Sequence, residues 1–157
     1  MPKKNKSPEI NITPSFQYLP EESSLAENRF VWKYNILIEN KSKETVQLLT
    51  RHWKIYNESD LVDQVFGPGV VGLQPLILPK KSFEYESFCI LDTPTGKMIG
   101  LYEMQNVKCE HFSVPIPDID LIADDYSGYT NPNQSGSKNK SNNKSNNDPN
   151  NDPITYN

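Results

Sequence analysis

The chain has few arginines, histidines and cysteines, and it has no long apolar run. Only Arg29 and Arg51 are arginines among its 157 residues, and the formal net charge is −4 at pH 7. A duplex nucleic-acid surface needs clustered basic side chains, so this composition argues against nucleic acid as a partner. No stretch approaches the roughly 18 apolar residues of a membrane span, and the N-terminus has no apolar signal segment. We therefore expect no membrane partner and a cytoplasmic location, with the nucleus still open.

The two cysteines and two histidines offer little for catalysis or metal binding. Two cysteines in a reducing compartment are usually free thiols, and Cys89 and Cys109 both lie in strand-like runs, so we expect both to be buried. His52 and His111 form no pair with zinc-ligand spacing. No Ser–His–Asp or Cys–His arrangement can be assembled either. The sequence therefore predicts a protein that is not an enzyme, with no catalytic residues, no metal site and no cofactor.

The composition changes sharply near residue 125. Residues 126–157 are dominated by Asn, Ser, Lys, Asp and Pro, with almost no aliphatic side chains. Such a segment cannot bury enough apolar surface to offset its chain entropy, so we predict a disordered, Asn-rich, low-complexity tail. Residues 1–9 are predicted to be a flexible N-terminus. Residues 10–125 then form one domain.

Hydrophobic alternation with a period of two dominates residues 10–125, which is typical of half-buried strands. Turn signals separate the alternating runs, and the strongest is the segment 92–96. Pro115 and Pro117 suit an edge strand or a strand end. Seven or eight antiparallel strands of this kind predict an all-β, fibronectin type III- or immunoglobulin-like β-sandwich. The clearest alternating run places five side chains on one face: Phe30, Trp32, Tyr34, Ile36 and Ile38.

The segment Gly67–Gly72, the glycine loop, has the G-x-G-x-x-G spacing of a dinucleotide-binding loop. Asp92 even stands about 20 positions later, where that fingerprint has an acidic residue. However, Pro75 and Pro79 leave no room for the helix whose N-terminus would bind a pyrophosphate. We therefore interpret the loop as a tight turn or bulge whose glycines need positive φ or close backbone approach. The alternative is a helix-free nest of amides for a phosphate, formed by Gly67, Gly69, Val70, Val71 and Gly72.

Arg51 and His52 are a second candidate polar site. On a strand Arg51 and Trp53 share one face, while His52 points to the other. The competing interpretation makes Trp53 a core residue, with Arg51 stacking on an aromatic ring or pairing with a carboxylate. We favour this second interpretation.

Taken in order and with matching spacing, several runs resemble the ApaG domain family. The resemblance covers about Ile10 to Asp124 and implies a fibronectin type III-like sandwich. Pro68 replaces a frequent Glu and removes an amide that a phosphate nest would use, and Lys80 replaces a frequent Gly. The Asn-rich tail has no counterpart in the family. The matching runs are 30–40, 46–55, 67–75, 83–87, 91–104 and 112–117.

The resemblance also implies a function. Bacterial members of the family are associated with cobalt and magnesium resistance, without an established transport or catalytic activity. In eukaryotes the domain is fused to F-box and polymerase-delta-interacting proteins, where it looks like a protein-interaction module. We therefore predict a non-enzymatic interaction module with an unidentified protein partner, and a homodimer stays open. The alternative is a pyrophosphate- or nucleotide-binding protein, or a weak anion binder, that uses the Gly67–Gly72 loop.

Overall fold

Eight strands make up nearly all of the regular structure in residues 6–124, which are the residues that the computed structural model describes. The one helical piece among them is a short 3₁₀ turn, Pro20–Glu22. No helix in this part of the chain has the length and apolar character needed to cross a membrane. The predicted tail, 126–157, lies outside the described residues. The strands are β1 Ile10–Tyr18, β2 Phe30–Asn40, β3 Val46–Tyr56, β4 Leu61–Pro68, β5 Leu76–Ile77, β6 Ser82–Leu91, β7 Thr95–Gln105 and β8 His111–Ile122.

The strands form two antiparallel sheets, which confirms the predicted all-β sandwich. One sheet has the order β1-β2-β6, and the other has the order β4-β3-β7-β8. The short strand β5 pairs with Val46 and Gln47 at the start of β3, while β4 pairs with the rest of that strand. Together β4 and β5 therefore occupy one edge of the larger sheet, with the glycine loop between them.

Strand β2 shows why the alternation in the sequence was informative. Its even-numbered residues from Phe30 to Ile38 are all buried, since they face the second sheet. Trp32 is fully buried, and its Nε1–H donates a hydrogen bond of 3.0 Å to the carbonyl of Ile122. Burial of such large side chains supplies most of the free energy that holds the two sheets together.

Strand β3 contains a β-bulge that changes which side chains face the core. Val46 and Leu48 are buried before the bulge, and Trp53 is buried after it. Between them Leu49 has no partner on β7, because Leu48 pairs with Met104 and Thr50 pairs with Glu103. One extra residue shifts the inward set from even to odd positions. Arg51 and Trp53 therefore point into the sandwich.

The two sides of the sandwich differ. On one side β1 packs against β8, and these edge strands contain Pro14, Pro115 and Pro117. Proline cannot donate to a ladder and is typical of edge strands. On the other side the edge strands are β4 and β6, which make little contact with each other. The sandwich is therefore closed along β1 and β8 and open along β4 and β6.

Candidate functional site

The glycine loop forms a tight hairpin turn. The Val70 N–H donates to the Leu73 carbonyl at 2.8 Å, and the Leu73 N–H donates back to the Val70 carbonyl at 2.9 Å. The two central residues, Val71 and Gly72, have φ of 44° and 77°. Positive φ at both central positions is the signature of a type I′ turn. A β-branched residue such as Val71 rarely adopts this conformation, so the turn is locally strained.

Gly69 connects this turn to the sheet. Its φ is 62°, and its N–H donates to the Leu49 carbonyl of β3 at 2.8 Å. The amides of Gly69 and Val70 are therefore used in backbone pairing, and they do not point together at a ligand. These contacts give no support to the pyrophosphate or nucleotide alternative, which stays a prediction.

Arg51 holds the same loop from the inner face of β3. Its Nη1 donates to the carbonyls of Pro68 and Gly69, at 3.1 and 2.8 Å. The guanidinium lies over Gly67, where an added Cβ would be 3.6 Å from Nη1. The structure thus differs from our expectation for Arg51, because its acceptors are backbone carbonyls. Within residues 6–124 no carboxylate forms an ion pair with it.

His52 does not join Arg51 in one polar site. It lies on the outer face of the larger sheet, where its ring contacts the ring of Phe66 edge-on, with centroids 5.8 Å apart. The two residues are neighbours in sequence but occupy opposite faces of β3. This is the arrangement that side-chain alternation along a strand predicts, and the two residues form no common site.

A cleft of about 460 Å³ lies between β4 and β6 and is the second part of the candidate site. Arg51 and Trp53 of β3 line it, and so do Val65 of β4 and Tyr85 of β6. Sequence reasoning missed this site, because its residues come from separate strands. The signal that could have found it is the shift of parity along β3, which turns Arg51 inward.

Tyr34 and Tyr85 line the cleft, and a third tyrosine, Tyr102, contacts Tyr85. The hydroxyls of Tyr85 and Tyr102 share a hydrogen bond of 2.5 Å. Burial raises the pKa of Tyr34, Tyr85 and Tyr102, and the positive charge of Arg51 opposes this effect in each case. All three side chains are therefore neutral hydroxyls at physiological pH.

Trp53 contributes a donor without an acceptor. Its side chain is 1% exposed, and Nε1 has no hydrogen-bond partner within the described residues. The Tyr85 hydroxyl interacts with the Trp53 side chain, but no hydrogen bond to Nε1 meets the usual distance and angle limits. A buried unpaired donor costs about 1–3 kcal/mol and is rare in native proteins.

One of the two cysteines differs from our expectation. Cys89 is buried beside the cleft, but Cys109 is exposed in the β7–β8 turn with φ of 59°. Cys109 is exposed because it lies before β8, which begins only at His111. Burial, with a smaller effect from the charge of Asp63, raises the pKa of Cys89 to about 12.

This difference predicts selective thiol chemistry. At pH 8 the native protein should react with one equivalent of an aromatic disulfide reagent, at Cys109, because Cys89 stays protonated and buried. A Cys109→Ser variant should react only in denaturant, when Cys89 becomes accessible. Fast reaction of that variant without denaturant would contradict the burial of Cys89.

No three His, Cys, Asp or Glu side chains in residues 6–124 are arranged to hold a metal ion. The aspartates near the end of β8 lie close to a lysine side chain instead. Lys97 Nζ is 4.0 Å from Asp118 and 3.6 Å from Asp120. These exposed contacts agree with a solvated strand end.

Comparison with known proteins gives a consistent result. A family model described as the ApaG domain matches residues 20–106. The chain is 44% identical over 117 residues to Protein ApaG of Allorhizobium ampelinum, covering 74% of this chain and 90% of that protein. It is 45% identical over 124 residues to Protein ApaG of Rhodospirillum centenum, covering 79% and 94%. A solved ApaA structure from Bordetella pertussis superposes with a TM-score of 0.72 at 35% identity, covering 74% of this chain and 95% of that one.

Proposed function

The chain belongs to the ApaG domain family, and on that premise we propose that it is a non-enzymatic module that binds an extended segment of a partner protein along β4. The observation that carries this proposal is the unpaired outer edge of β4. Within the described residues no strand covers that edge. Addition of a strand to such an edge is a common mode of peptide recognition.

The hydrogen-bonding groups of β4 are arranged for this role. Gly69 donates to Leu49, and the same register continues with Gly67 opposite Arg51 and Val65 opposite Trp53. Antiparallel pairs alternate, so the odd-numbered amides of β4 face β3. The N–H groups of Gln64 and Phe66 consequently point away from the sheet, where a partner strand would accept them.

Apolar side chains continue along the same edge. Phe66 is 73% exposed although it is a large aromatic residue. Three leucines in the following loop and β5 region are also more than half exposed: Leu73, Leu76 and Leu78. Exposed apolar side chains at one edge of a sheet suit a protein-binding surface. These side chains would supply the apolar contacts, while the backbone of β4 supplies the hydrogen bonds.

The charge of the chain favours a different protein over a second copy as the occupant. Each chain has a formal net charge of −4, and Asp63 lies within β4 itself. Two identical strands paired at this edge would bring like charges together, which opposes association. A segment with basic residues has no such cost, so we propose a basic, extended partner segment.

A proline in β4 tests this proposal. Gln64→Pro removes an outward N–H without removing a hydrogen bond to β3, so stability should change little. Binding of a captured partner should fall at least about tenfold, since one backbone hydrogen bond and the fit of the added strand are lost. Gln64→Thr is the matched control, because it changes the same side chain and keeps the N–H.

Hydrogen exchange on the wild-type complex locates the partner. Slower exchange of the Gln64 and Phe66 amides on binding would support strand addition. Equal binding by the Gln64→Pro and Gln64→Thr variants would exclude it. Dimerisation of the purified wild type that Gln64→Pro abolishes would instead identify a second copy as the occupant. Turnover of a nucleotide by the purified protein would overturn the non-enzymatic assignment.

The link to cobalt and magnesium resistance, which the resemblance implies, stays a prediction. A binding module would contribute to such resistance through its partner. The cytoplasmic location is likewise a prediction, which localisation of a tagged chain would check.

A further inference from the structure

The unpaired Nε1–H of Trp53 indicates a second binding site, separate from the outer edge of β4. The other tryptophan, Trp32, satisfies its N–H with a backbone carbonyl. Trp53 is almost as buried and lines the cleft, but among residues 6–124 its Nε1–H makes no well-formed hydrogen bond, although the Tyr85 hydroxyl interacts with the side chain. A ligand in the cleft that carries an acceptor atom would supply the missing hydrogen bond.

Arg51 adds a positive charge beside this donor. Its Nη1 is committed to the carbonyls of Pro68 and Gly69. Nε and Nη2 make no hydrogen bond to another described residue, and no described carboxylate forms an ion pair with Arg51. A guanidinium has five N–H donors, so three remain for a ligand. Arg51 therefore selects an anionic group, and the fork geometry suits a carboxylate.

The hydroxyl groups reinforce this preference for an acceptor. In the Tyr85–Tyr102 pair one hydroxyl donates to the other, so the accepting hydroxyl keeps its own proton. Tyr85 lines the cleft close to Trp53. The hydroxyl that accepts within the pair can therefore donate its own proton to an acceptor atom.

The rest of the cleft determines the length and polarity of the part of the ligand that lies beyond the anionic group, which we call its body. Along β3 the cleft extends from Arg51 to Ile55, a distance of about 13 Å at 3.3 Å per residue. Val65, Leu91 and Met98 make this part of the wall apolar. Asp63 and Asp92 also line the cleft, and they disfavour a second negative charge on the ligand.

We propose that the cleft between β4 and β6 binds a small organic monocarboxylate. The carboxylate accepts hydrogen bonds from Trp53 Nε1–H and from the free half of the Arg51 guanidinium, and its apolar body lies along Ile55, Val65 and Met98. The volume of about 460 Å³ lies within the range of small-molecule sites. Such a ligand would pair a buried donor that the protein leaves unpaired.

Nuclear magnetic resonance of the tryptophan indole N–H groups tests the proposal on the full-length chain. With 4-phenylbutyrate as the probe, the Trp53 indole resonance should shift downfield in a saturable way, with a Kd of about 1 mM or tighter. The Trp32 indole resonance is the internal control and should stay in place. The neutral alcohol 4-phenyl-1-butanol has the same body and should bind at least about tenfold more weakly.

Three variants separate ligand binding from folding. Trp53→Phe removes the orphan donor and should weaken 4-phenylbutyrate binding at least about tenfold while the protein stays folded. Arg51→Lys keeps the charge and loses the fork, so it should also weaken binding, which covers the case in which Trp53→Phe fails to fold. His52→Gln lies on the same strand but faces outward, so it is the matched control and should bind as the wild type does.

Several results would overturn the assignment. One is a Trp53 resonance that does not move at millimolar 4-phenylbutyrate, and another is equal affinity for the acid and the alcohol. Unchanged affinity in a folded Trp53→Phe variant would exclude the indole contact. Displacement of 4-phenylbutyrate by pyrophosphate would replace the monocarboxylate with a phosphate ligand.

Discussion

Replacement of Gly69 by alanine is expected to destabilise the domain by about 2–5 kcal/mol, which combines backbone strain with overpacking. An alanine Cβ would lie 2.1 Å from the Leu73 carbonyl oxygen and 2.8 Å from its carbon. Both atoms belong to the backbone of the type I′ turn, so they cannot move without breaking it. The φ of 62° adds a second penalty. The free energy of unfolding in urea measures the effect.

The other glycines of the loop provide matched controls. Gly72 has a positive φ but open space around its Cβ position, so Gly72→Ala should cost only about 1–2 kcal/mol. Gly67→Ala brings the Cβ only to ordinary contact with Arg51 and should change stability by less than about 1 kcal/mol. A phosphate nest would not produce this order in the free protein. Equal effects at all three positions would contradict the turn geometry.

Gly100→Ala is the second substitution with a large expected effect, about 1–3 kcal/mol or more. An added Cβ would lie 2.5 Å from Cε3 of Trp53 and 2.8 Å from the His52 carbonyl oxygen. Gly100 pairs with Trp53 across β3 and β7, so its missing side chain provides the space in which the indole lies. Urea unfolding should show the loss, and the Trp53 indole resonance should shift because the ring is displaced.

A double-mutant cycle separates the two contributions to this effect. Trp53→Leu removes the ring that the new Cβ would meet, so Gly100→Ala should cost less in that background. A coupling of about 0.5–3 kcal/mol is expected for residues in direct contact. The remaining cost would come from the His52 carbonyl, which does not change. Simple additivity would show that the ring is not what Gly100 accommodates.

Much of the fold could be predicted because buried and exposed side chains alternate along a strand, which gives the sequence a period of two. In β2 every even residue from Phe30 to Ile38 is buried, so the pattern alone identified the strand and its inner face. Pro115 and Pro117 likewise indicated an edge strand, and β8 is one. Strand β3 was harder, because the extra residue at Leu49 places inward residues on both parities.

Less of the candidate site than of the fold could be predicted from the sequence. The glycine spacing suggested a ligand, yet spacing cannot show that the Gly69 and Val70 amides are used within the backbone. The cleft depends on how far apart β4 and β6 stand, which is a property of tertiary packing. Cys109 was expected to be buried, because the alternation in the sequence does not mark where a turn replaces a strand.

The alternation of β4 has a consequence for how this molecule can change over evolutionary time. The side chains of Asp63 and Val65 line the cleft, whereas the side chain of Phe66 lies on the outer face. The backbone N–H of Gln64 points away from the sheet. Successive residues therefore serve different surfaces. Substitutions at odd positions can alter the chemistry inside the sandwich while the exterior stays constant, and those at even positions can do the reverse. One short strand thus allows two surfaces to diverge independently within the family.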